Sequence, residues 1–170
     1  DPRIDAHFKK VGTKSQRKHI KEIQLYLLKN KKTVLPEWFK ISAKAGFTFT
    51  SVDAESAYDY SVLEFPFSFW QYTADESKLP DLKTATPDKM ALYLAQMVPP
   101  FWYTDAAKVF QPANYQFYTQ LGYYEYDEKP FRKYLKNKDY SNSAFVPEDA
   151  AVVWDPSYQE KLKAFINSSP

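Results

Sequence analysis

The pattern of apolar and polar positions predicts a chain made almost entirely of helices. From about Thr13 to Asn30, apolar side chains recur every three or four residues, as they do on the buried face of a helix. This stripe consists of Ile20, Ile23, Leu27 and Leu28. Thr13 or Ser15 is the expected N-cap, because either hydroxyl can accept from the free N–H groups of the first turn.

Prolines and glycines mark the next boundaries. A second helix is predicted from Lys31 to Ala45, with Pro36 in its first turn and Gly46 at its C-terminal cap. A third helix is predicted to start after Thr50 or Ser51, with Asp53 and Glu55 in its first turn, and to run into the aromatic stretch 61–72.

The remaining elements follow the same punctuation. A fourth helix is predicted from Pro87 to Val98, and the aromatic segment 101–127 is expected to be helical in two pieces, with Gly122 near a terminus. Residues 129–138 read as a short helix. A last helix starts at Asp155 as N-cap, with Pro156 at its first position.

Together these elements predict an all-α, single-domain bundle of six to seven helices over residues 1–170. Its joints are marked by prolines, with a surface loop at 73–86 and an irregular segment at 139–155.

The stretch 61–72, SVLEFPFSFWQY, holds the main candidate site. Two faces are expected along this helix. The core face is Ala54, Tyr58, Val62, Phe65 and Phe69, and the other face is Tyr60, Glu64, Phe67 and Gln71. Pro66 has no N–H to donate to the carbonyl of Val62, which predicts a kink or break near Glu64.

Two interpretations of Glu64 follow from this pattern. In one, the carboxylate is half exposed and the rings around it are core. In the other, it points into an aromatic-walled cavity and binds a cation such as a peptide N-terminal ammonium group, since an unpaired buried carboxylate is unfavourable. The same aromatic walls suit a proline ring or another apolar side chain.

Composition excludes several kinds of chemistry. The chain has no cysteine, and its three glycines are too far apart for a phosphate-binding loop or a Gly-x-Ser-x-Gly turn. His7 and His19 cannot build a multi-histidine metal centre, and neither has the partners that a catalytic base requires. We therefore expect no metal and no cofactor. We also expect no membrane span, because no apolar run reaches the roughly 20 residues that one requires.

The net charge of +2 is unevenly distributed. Residues 1–40 hold 11 Lys and Arg against 4 Asp and Glu, which raises the alternative of a free-standing module that binds nucleic acid through residues 9–32. A solvated helix face explains these lysines better, because they lie mostly off the apolar stripe; we therefore expect no nucleic-acid partner. An assembly domain that binds a protein partner and no ligand is a further alternative.

Several segments together resemble secreted bacterial tripeptidyl aminopeptidases, which are serine peptidases with an α/β-hydrolase fold. They are DPRIDAHFKKVGT, EFPFSFWQY, YQFYTQLGYYEYD and AVVWDPSYQEKLKAFINSS. The third is also similar to a Trp-x-x-Gln-x-x-x-Glu-x-Gly pattern of the related prolyl carboxypeptidase and dipeptidyl peptidase group. Gln116 and Gly122 match that pattern, whereas Gln120 stands where it has Glu.

The resemblance implies that this chain is the helical cap of such an enzyme. The nucleophilic Ser would then lie before Asp1, and the catalytic Asp and His after Pro170, so the isolated chain would be inactive. The hydrolase domain of the same polypeptide and a peptide substrate are the implied partners, and the location is secreted or periplasmic. Without its hydrolase domain, the aromatic inner face of the cap is expected to self-associate.

Four residues are predicted to bind substrate, and none to be catalytic. Glu64 is the anion for the substrate ammonium, while Phe67 and Trp70 form walls and Gln116 hydrogen-bonds the substrate backbone. For Gln116 the alternative is a polar pair with Gln120 at a helix contact, and for Trp70 it is core packing. Asp105 is expected to cap a helix.

Overall fold

The computed structural model describes residues 11–121, 126–138, 140, 145–146, 153 and 155–168. The predictions for His7, for Gly122 and for most of the joint 139–155 lie outside these residues. The described part contains six α-helices and no strand, which confirms the all-α class. These are α1 (Lys14–Lys29), α2 (Lys31–Lys44), α3 (Ala54–Tyr72), α4 (Pro87–Met97), α5 (Gln111–Gln116) and α6 (Ser157–Ser168).

The start of α1 follows the sequence prediction closely. Thr13 and Gln16 form a capping box, in which the backbone N–H of Gln16 donates to Thr13 Oγ1 at 3.1 Å. Gln16 Oε1 in turn accepts from the N–H of Thr13 at 2.7 Å. The two contacts satisfy donors that a helix start leaves free, and so they fix the boundary at Thr13.

The end of α2 is set by Gly46, as predicted. Gly46 has φ of +74°, a conformation that a residue with a Cβ adopts only with strain. Its N–H donates to the carbonyl of Ala43 at 3.0 Å, and the N–H of Phe47 donates to Ser42 at 3.1 Å. This is the Schellman arrangement. Pro36, however, lies inside α2 rather than in its first turn, because the helix already begins at Lys31.

Helix α3 is the centre of the fold and is buried on almost every side. It contacts α1, α2 and α4, and the broadest contact between two helices joins α2 to α4. Tyr58, Val62, Phe65 and Phe69 are fully buried, which confirms the predicted core face. Asp53 caps the helix through hydrogen bonds from the N–H groups of Glu55 and Ser56, so the helix starts slightly later than expected.

Of the kink or break predicted near Glu64, the break is wrong, since α3 continues without interruption to Tyr72. The carbonyl of Val62 loses its helical donor at Pro66, but the Gln24 side chain replaces that donor. Gln24 Nε2 on α1 donates to Val62 O at 2.9 Å in a buried contact. Because the carbonyl is satisfied from a neighbouring helix, the proline does not end the helix.

The second half of the chain is less regular than predicted. In place of two helical pieces, the structure has two 3₁₀ turns, Pro100–Tyr103 and Asp105–Phe110, then α5 and a π-helical turn, Phe117–Leu121. The loop 73–86 adds one further 3₁₀ turn, Glu76–Lys78.

The short helix predicted at 129–138 is not formed. Residues 129–134 make successive turns, and the N–H of Lys136 donates to Asp59 on α3 instead of to a helical carbonyl. The last helix, α6, begins after Asp155, whose Oδ1 accepts from the N–H of Ser157 at 2.9 Å as a cap does. None of the helices in the described residues combines the length and apolarity that crossing a membrane requires.

Candidate functional site

Four aromatic rings meet around Tyr60, in the middle of α3. We call this group the tyrosine cluster: Tyr60, Tyr103, Tyr126, Tyr140 and Phe145. Tyr60 stacks on Tyr103 with ring centroids 5.7 Å apart and meets Tyr140 and Phe145 edge-on at 4.8 and 5.0 Å. The rings come from α3, from the 3₁₀ turn Pro100–Tyr103 and from the segments near 126, 140 and 145.

Glu64 lies one helical turn beyond Tyr60 and faces the same cluster. Its carboxylate accepts a hydrogen bond from the hydroxyl of Tyr126, and the residue as a whole is half-buried. Burial of the carboxyl group raises the pKa of Glu64 to about 7, and the bond from Tyr126 only partly opposes this shift. Glu64 has no ion pair among the residues that the structure describes.

The Glu64 carboxylate also affects the pKa values of the surrounding tyrosines. Burial raises the pKa values of Tyr103 and Tyr126 well above 10, and the nearby charge of Glu64 adds to both shifts. Tyr118, in the π-helical turn, is close enough to contribute to both as well. The arrangement is therefore a carboxylate with aromatic, hydroxyl-bearing walls, and it favours a bound cation over an anion.

Two rings of the cluster also border a small cleft. Tyr103 and Phe145 line it together with Trp102, Lys108 and Asn114. Asn114 Nδ2 donates to the carbonyl of Phe145 at 3.1 Å, which ties α5 to that segment. The cleft is small and has a mixed lining, in which polar side chains such as Lys108 and Asn114 lie beside two rings of the tyrosine cluster.

A second carboxylate on α3, Asp59, has a very different environment. It is fully buried, and Lys31 Nζ lies 2.6 Å from its Oδ1. Its Oδ2 accepts from the hydroxyl of Tyr140 at 2.6 Å and from the N–H of Lys136 at 2.8 Å. Burial raises the pKa of Asp59, and the hydrogen bonds from Lys31 and Tyr140 oppose that shift.

The predicted site residues do not all meet at Glu64. Trp70 packs edge-on against Phe69 at 5.1 Å and covers Gly12 so closely that a Cβ there would lie 2.0 Å from Trp70 Cη2. These contacts match the packing interpretation of Trp70. Phe67 is half-buried on α3, in keeping with the face shared with Glu64.

Gln116 is exposed at the end of α5, whereas Tyr118, two residues on, is buried beside Tyr103 and Tyr126. The π-helical turn that follows α5 carries Tyr118 to this position. Within this segment, Tyr118 rather than the predicted Gln116 lies beside the tyrosine cluster.

Tyr126 and Asp59 were also missed. The run YYEYD shows that residues 123–127 are rich in tyrosine, but the spacing of a loop does not show which ring reaches Glu64. For Asp59 a signal did exist, since it lies among residues of α3 that are apolar on both sides.

Asp105 does not serve as the predicted helix cap. It begins the turn Asp105–Phe110, and its carboxylate accepts from Thr50 and from Thr48 Oγ1, the latter at 2.8 Å. Hydrogen bonds from Thr50, Thr48 and Lys108 hold the pKa of Asp105 well below its usual range. Asp105 therefore ties the link between α2 and α3 to the 3₁₀ turn. No group of three or more potential ligand side chains in the described residues is placed to hold a metal ion.

Comparison with known proteins connects the whole chain to one family. The family described as PS-10 peptidase S37 matches residues 1–168. A curated relative, the prolyl tri/tetrapeptidyl aminopeptidase of Streptomyces mobaraensis, is 32% identical over 126 residues. This alignment covers 72% of the chain and 26% of the relative, so the chain spans about a quarter of the relative's length. No solved structure matches the chain significantly.

Proposed function

The chain belongs to the PS-10 peptidase S37 family, and we propose that it forms the helical cap of an exported serine aminopeptidase that releases short N-terminal peptides. The hydrolase domain of the same polypeptide would supply the nucleophile and its partners. The cap would limit access to them and bind the N-terminal end of the substrate. Glu64 is the residue that we assign to the substrate's ammonium group.

The observation that carries this assignment is the environment of Glu64. A carboxylate with a pKa of about 7 is poorly compensated, because burial disfavours its charge and a single tyrosine hydroxyl is its identified donor. A peptide ammonium group, with an ordinary pKa of about 8, would supply the missing positive charge and N–H donors. Binding the amine would thereby lower the pKa of Glu64 and lock it in its ionised form.

The tyrosine cluster supports the same proposal, because its aromatic rings favour a bound cation. Tyr103 lies close enough to Glu64 for that charge to shift its pKa, so an ammonium group bound to Glu64 would lie beside aromatic rings, which attract cations. An apolar substrate side chain such as a proline ring would pack on the same aromatic rings.

Elsewhere on the chain, several apolar side chains are exposed in a way that suggests another domain covers them. Val109, Phe110 and Phe117 are 75, 40 and 43% exposed, and Phe165 and Ile166 on α6 are 69 and 61% exposed. Such side chains are typical of a surface that another domain covers. In our proposal the hydrolase domain covers it, and the cap expressed alone self-associates. Sedimentation of the 170-residue chain as a strict monomer would count against this part.

The assignment of Glu64 is tested by Glu64→Gln in the complete polypeptide that carries this chain. The measurement is kcat/KM for a peptide with a free N-terminus and for the same peptide N-acetylated. Removing one charge of a desolvated pair weakens it by about 2–5 kcal/mol, so we expect the preference for the free amine to fall at least about tenfold. Hydrolysis of the acetylated peptide should change little.

Glu22→Gln is the matched control. Glu22 is exposed on α1, where it pairs only loosely with Lys18 at 3.7 Å, so its loss should leave the preference unchanged. An unaltered preference in Glu64→Gln would refute the role of Glu64. A complete polypeptide that hydrolyses no N-terminally free peptide would refute the aminopeptidase proposal itself.

A further inference from the structure

The segment that carries Tyr126 is held against α3 by polar contacts rather than by helical structure. Residues 126–138 and 140 contain no helix, and the main attachment is Asp59. Its Oδ2 accepts from the backbone of Lys136 at 2.8 Å and from the hydroxyl of Tyr140 at 2.6 Å. Lys31 on α2 completes the group as the cation of Asp59.

Two further contacts attach the same segment to the start of α3. Asn137 Nδ2 donates to Ser56 Oγ at 2.9 Å, and Lys136 Nζ lies 2.8 Å from Asp53 Oδ1. Together with Asp59, these acceptors follow the first two turns of the helix. The segment is therefore fixed at one end to a rigid, buried element.

The other end of the segment reaches the Glu64 site. The N–H of Tyr140 donates to Glu128 Oε1 at 2.7 Å, and the N–H of Glu128 donates to the carbonyl of Tyr126 at 2.9 Å. These bonds link Tyr140 to Tyr126 across the loop. Both rings then lie edge-on to Tyr60, at 4.8 and 6.1 Å, and the Tyr126 hydroxyl donates to Glu64.

We propose that Asp59 is a positioning residue for Glu64, acting through Tyr140 and the segment 126–140 to hold Tyr126 over the Glu64 carboxylate and exclude water from it. This inference rests on the proposed function, because it concerns the site that we assign to the substrate amine. Asp59 itself lies among Lys31, Lys136 and Tyr140 and is not in our assignment a substrate ligand.

Tyr140→Phe is the sharpest variant for testing this role. It removes one of the two donors through which the segment reaches Asp59, the Tyr140 hydroxyl, and keeps both the Lys136 N–H and the ring that packs on Tyr60. Substituting Asp59 directly would leave the buried Lys31 with only the more distant Glu55, at 3.3 Å, and a failure of that chain to fold would hide any effect on Glu64. Tyr58→Phe is the matched control, since Tyr58 is a buried tyrosine of the same helix whose hydroxyl donates to Leu27 O at 3.0 Å, away from the segment.

The readout is the carboxyl titration of Glu64 in the 170-residue chain, followed by ¹³C NMR and assigned with Glu64→Gln. In Tyr140→Phe we expect the pKa of Glu64 to fall from about 7 to below about 6, because water reaches the carboxyl group and desolvation is the largest cause of its shift. In Tyr58→Phe the pKa of Glu64 should stay at about 7. Urea unfolding of this control should nevertheless show a loss of stability comparable to that of Tyr140→Phe.

An unchanged or increased pKa in Tyr140→Phe would overturn the proposal, and so would an equal fall in Tyr58→Phe, which would mean that any loss of stability loosens the site. The titration contains no peptide, whereas the proposed function is tested by the preference for a free amine. Each can therefore fail without the other.

Discussion

Asp59 and Glu64 lie five residues apart on one helix, and each accepts a hydrogen bond from a tyrosine hydroxyl, yet their surroundings differ in the charges they hold. Asp59 is fully buried and has a lysine at 2.6 Å, a hydroxyl donor in Tyr140 and a backbone N–H. Glu64 is half-buried, and burial outweighs the bond from Tyr126 and raises its pKa to about 7.

Burial raises the pKa of both carboxyl groups, but only Asp59 has a counter-charge among the described residues. Moving a charge out of water is unfavourable unless a counter-charge and hydrogen bonds replace the water. At Asp59 the chain provides both, from α2 and from the segment 126–140. At Glu64 the described residues provide only tyrosine, and the remaining requirement is what a substrate ammonium group would meet.

The largest effect is expected from Asp59→Ala. This change leaves the Lys31 ammonium group, whose side chain is only 12% exposed, without its closest partner, so we expect a loss of about 3–5 kcal/mol in the free energy of unfolding, measured with urea. As a control, Glu37→Ala removes the exposed pair with Lys40 and should change stability by less than about 1 kcal/mol. Similar losses in both variants would mean that Asp59 contributes no more to stability than an exposed charge does.

The helical part of this comparison was predictable from sequence. The spacing of Tyr58, Val62, Phe65 and Phe69 placed them in the core, and the same period put Tyr60 and Glu64 on a shared face. Local chemistry likewise fixed the cap at Thr13 and the glycine after α2. In each case the decisive contacts lie within a few residues along the chain.

The partners of the two carboxylates were not predictable, because they are distant in sequence. Lys31 is 28 residues from Asp59, and Tyr140 is 81 residues from it. Gln24 satisfies the carbonyl of Val62 across 38 residues, and this contact is why the expected break at Pro66 does not occur. Periodicity reports which face of a helix is buried, but it carries no information about which distant side chain meets that face.

A second prediction concerns pH, and it isolates Glu64. Its pKa is about 7 in the fold against an ordinary 4.5, so between these values the folded chain holds a proton that the unfolded chain has lost. Stability from this residue is therefore fully present below about pH 4.5 and is lost as pH rises through 7. The shift corresponds to roughly 3 kcal/mol.

Urea unfolding of the wild type and of Glu64→Gln at about pH 5 and about pH 8 measures this contribution by difference. The wild type should lose more stability than Glu64→Gln as pH rises, since the substituted amide has no proton to release. Asp59 also has a raised pKa, but it is present in both chains and cancels in the comparison. Parallel pH profiles would show that Glu64 is already compensated in the folded chain, and the contrast with Asp59 would disappear.

The smallest effect, and the finest test of the contrast, is expected from Tyr126→Phe. The lost hydroxyl favoured the ionised form of Glu64, so its pKa should rise above about 7, with a loss of about 1 kcal/mol in stability. Tyr26→Phe is the control, because the Tyr26 hydroxyl contacts the carbonyl of Ala85, at 3.4 Å, rather than Glu64. Its loss should leave the pKa of Glu64 unchanged. Tyr126→Phe and Tyr140→Phe should then move the same titration in opposite directions, one by removing a donor and the other by admitting water. A fall in both would show that the Tyr126 hydroxyl, like that of Tyr140, acts on Glu64 only by keeping the segment in place.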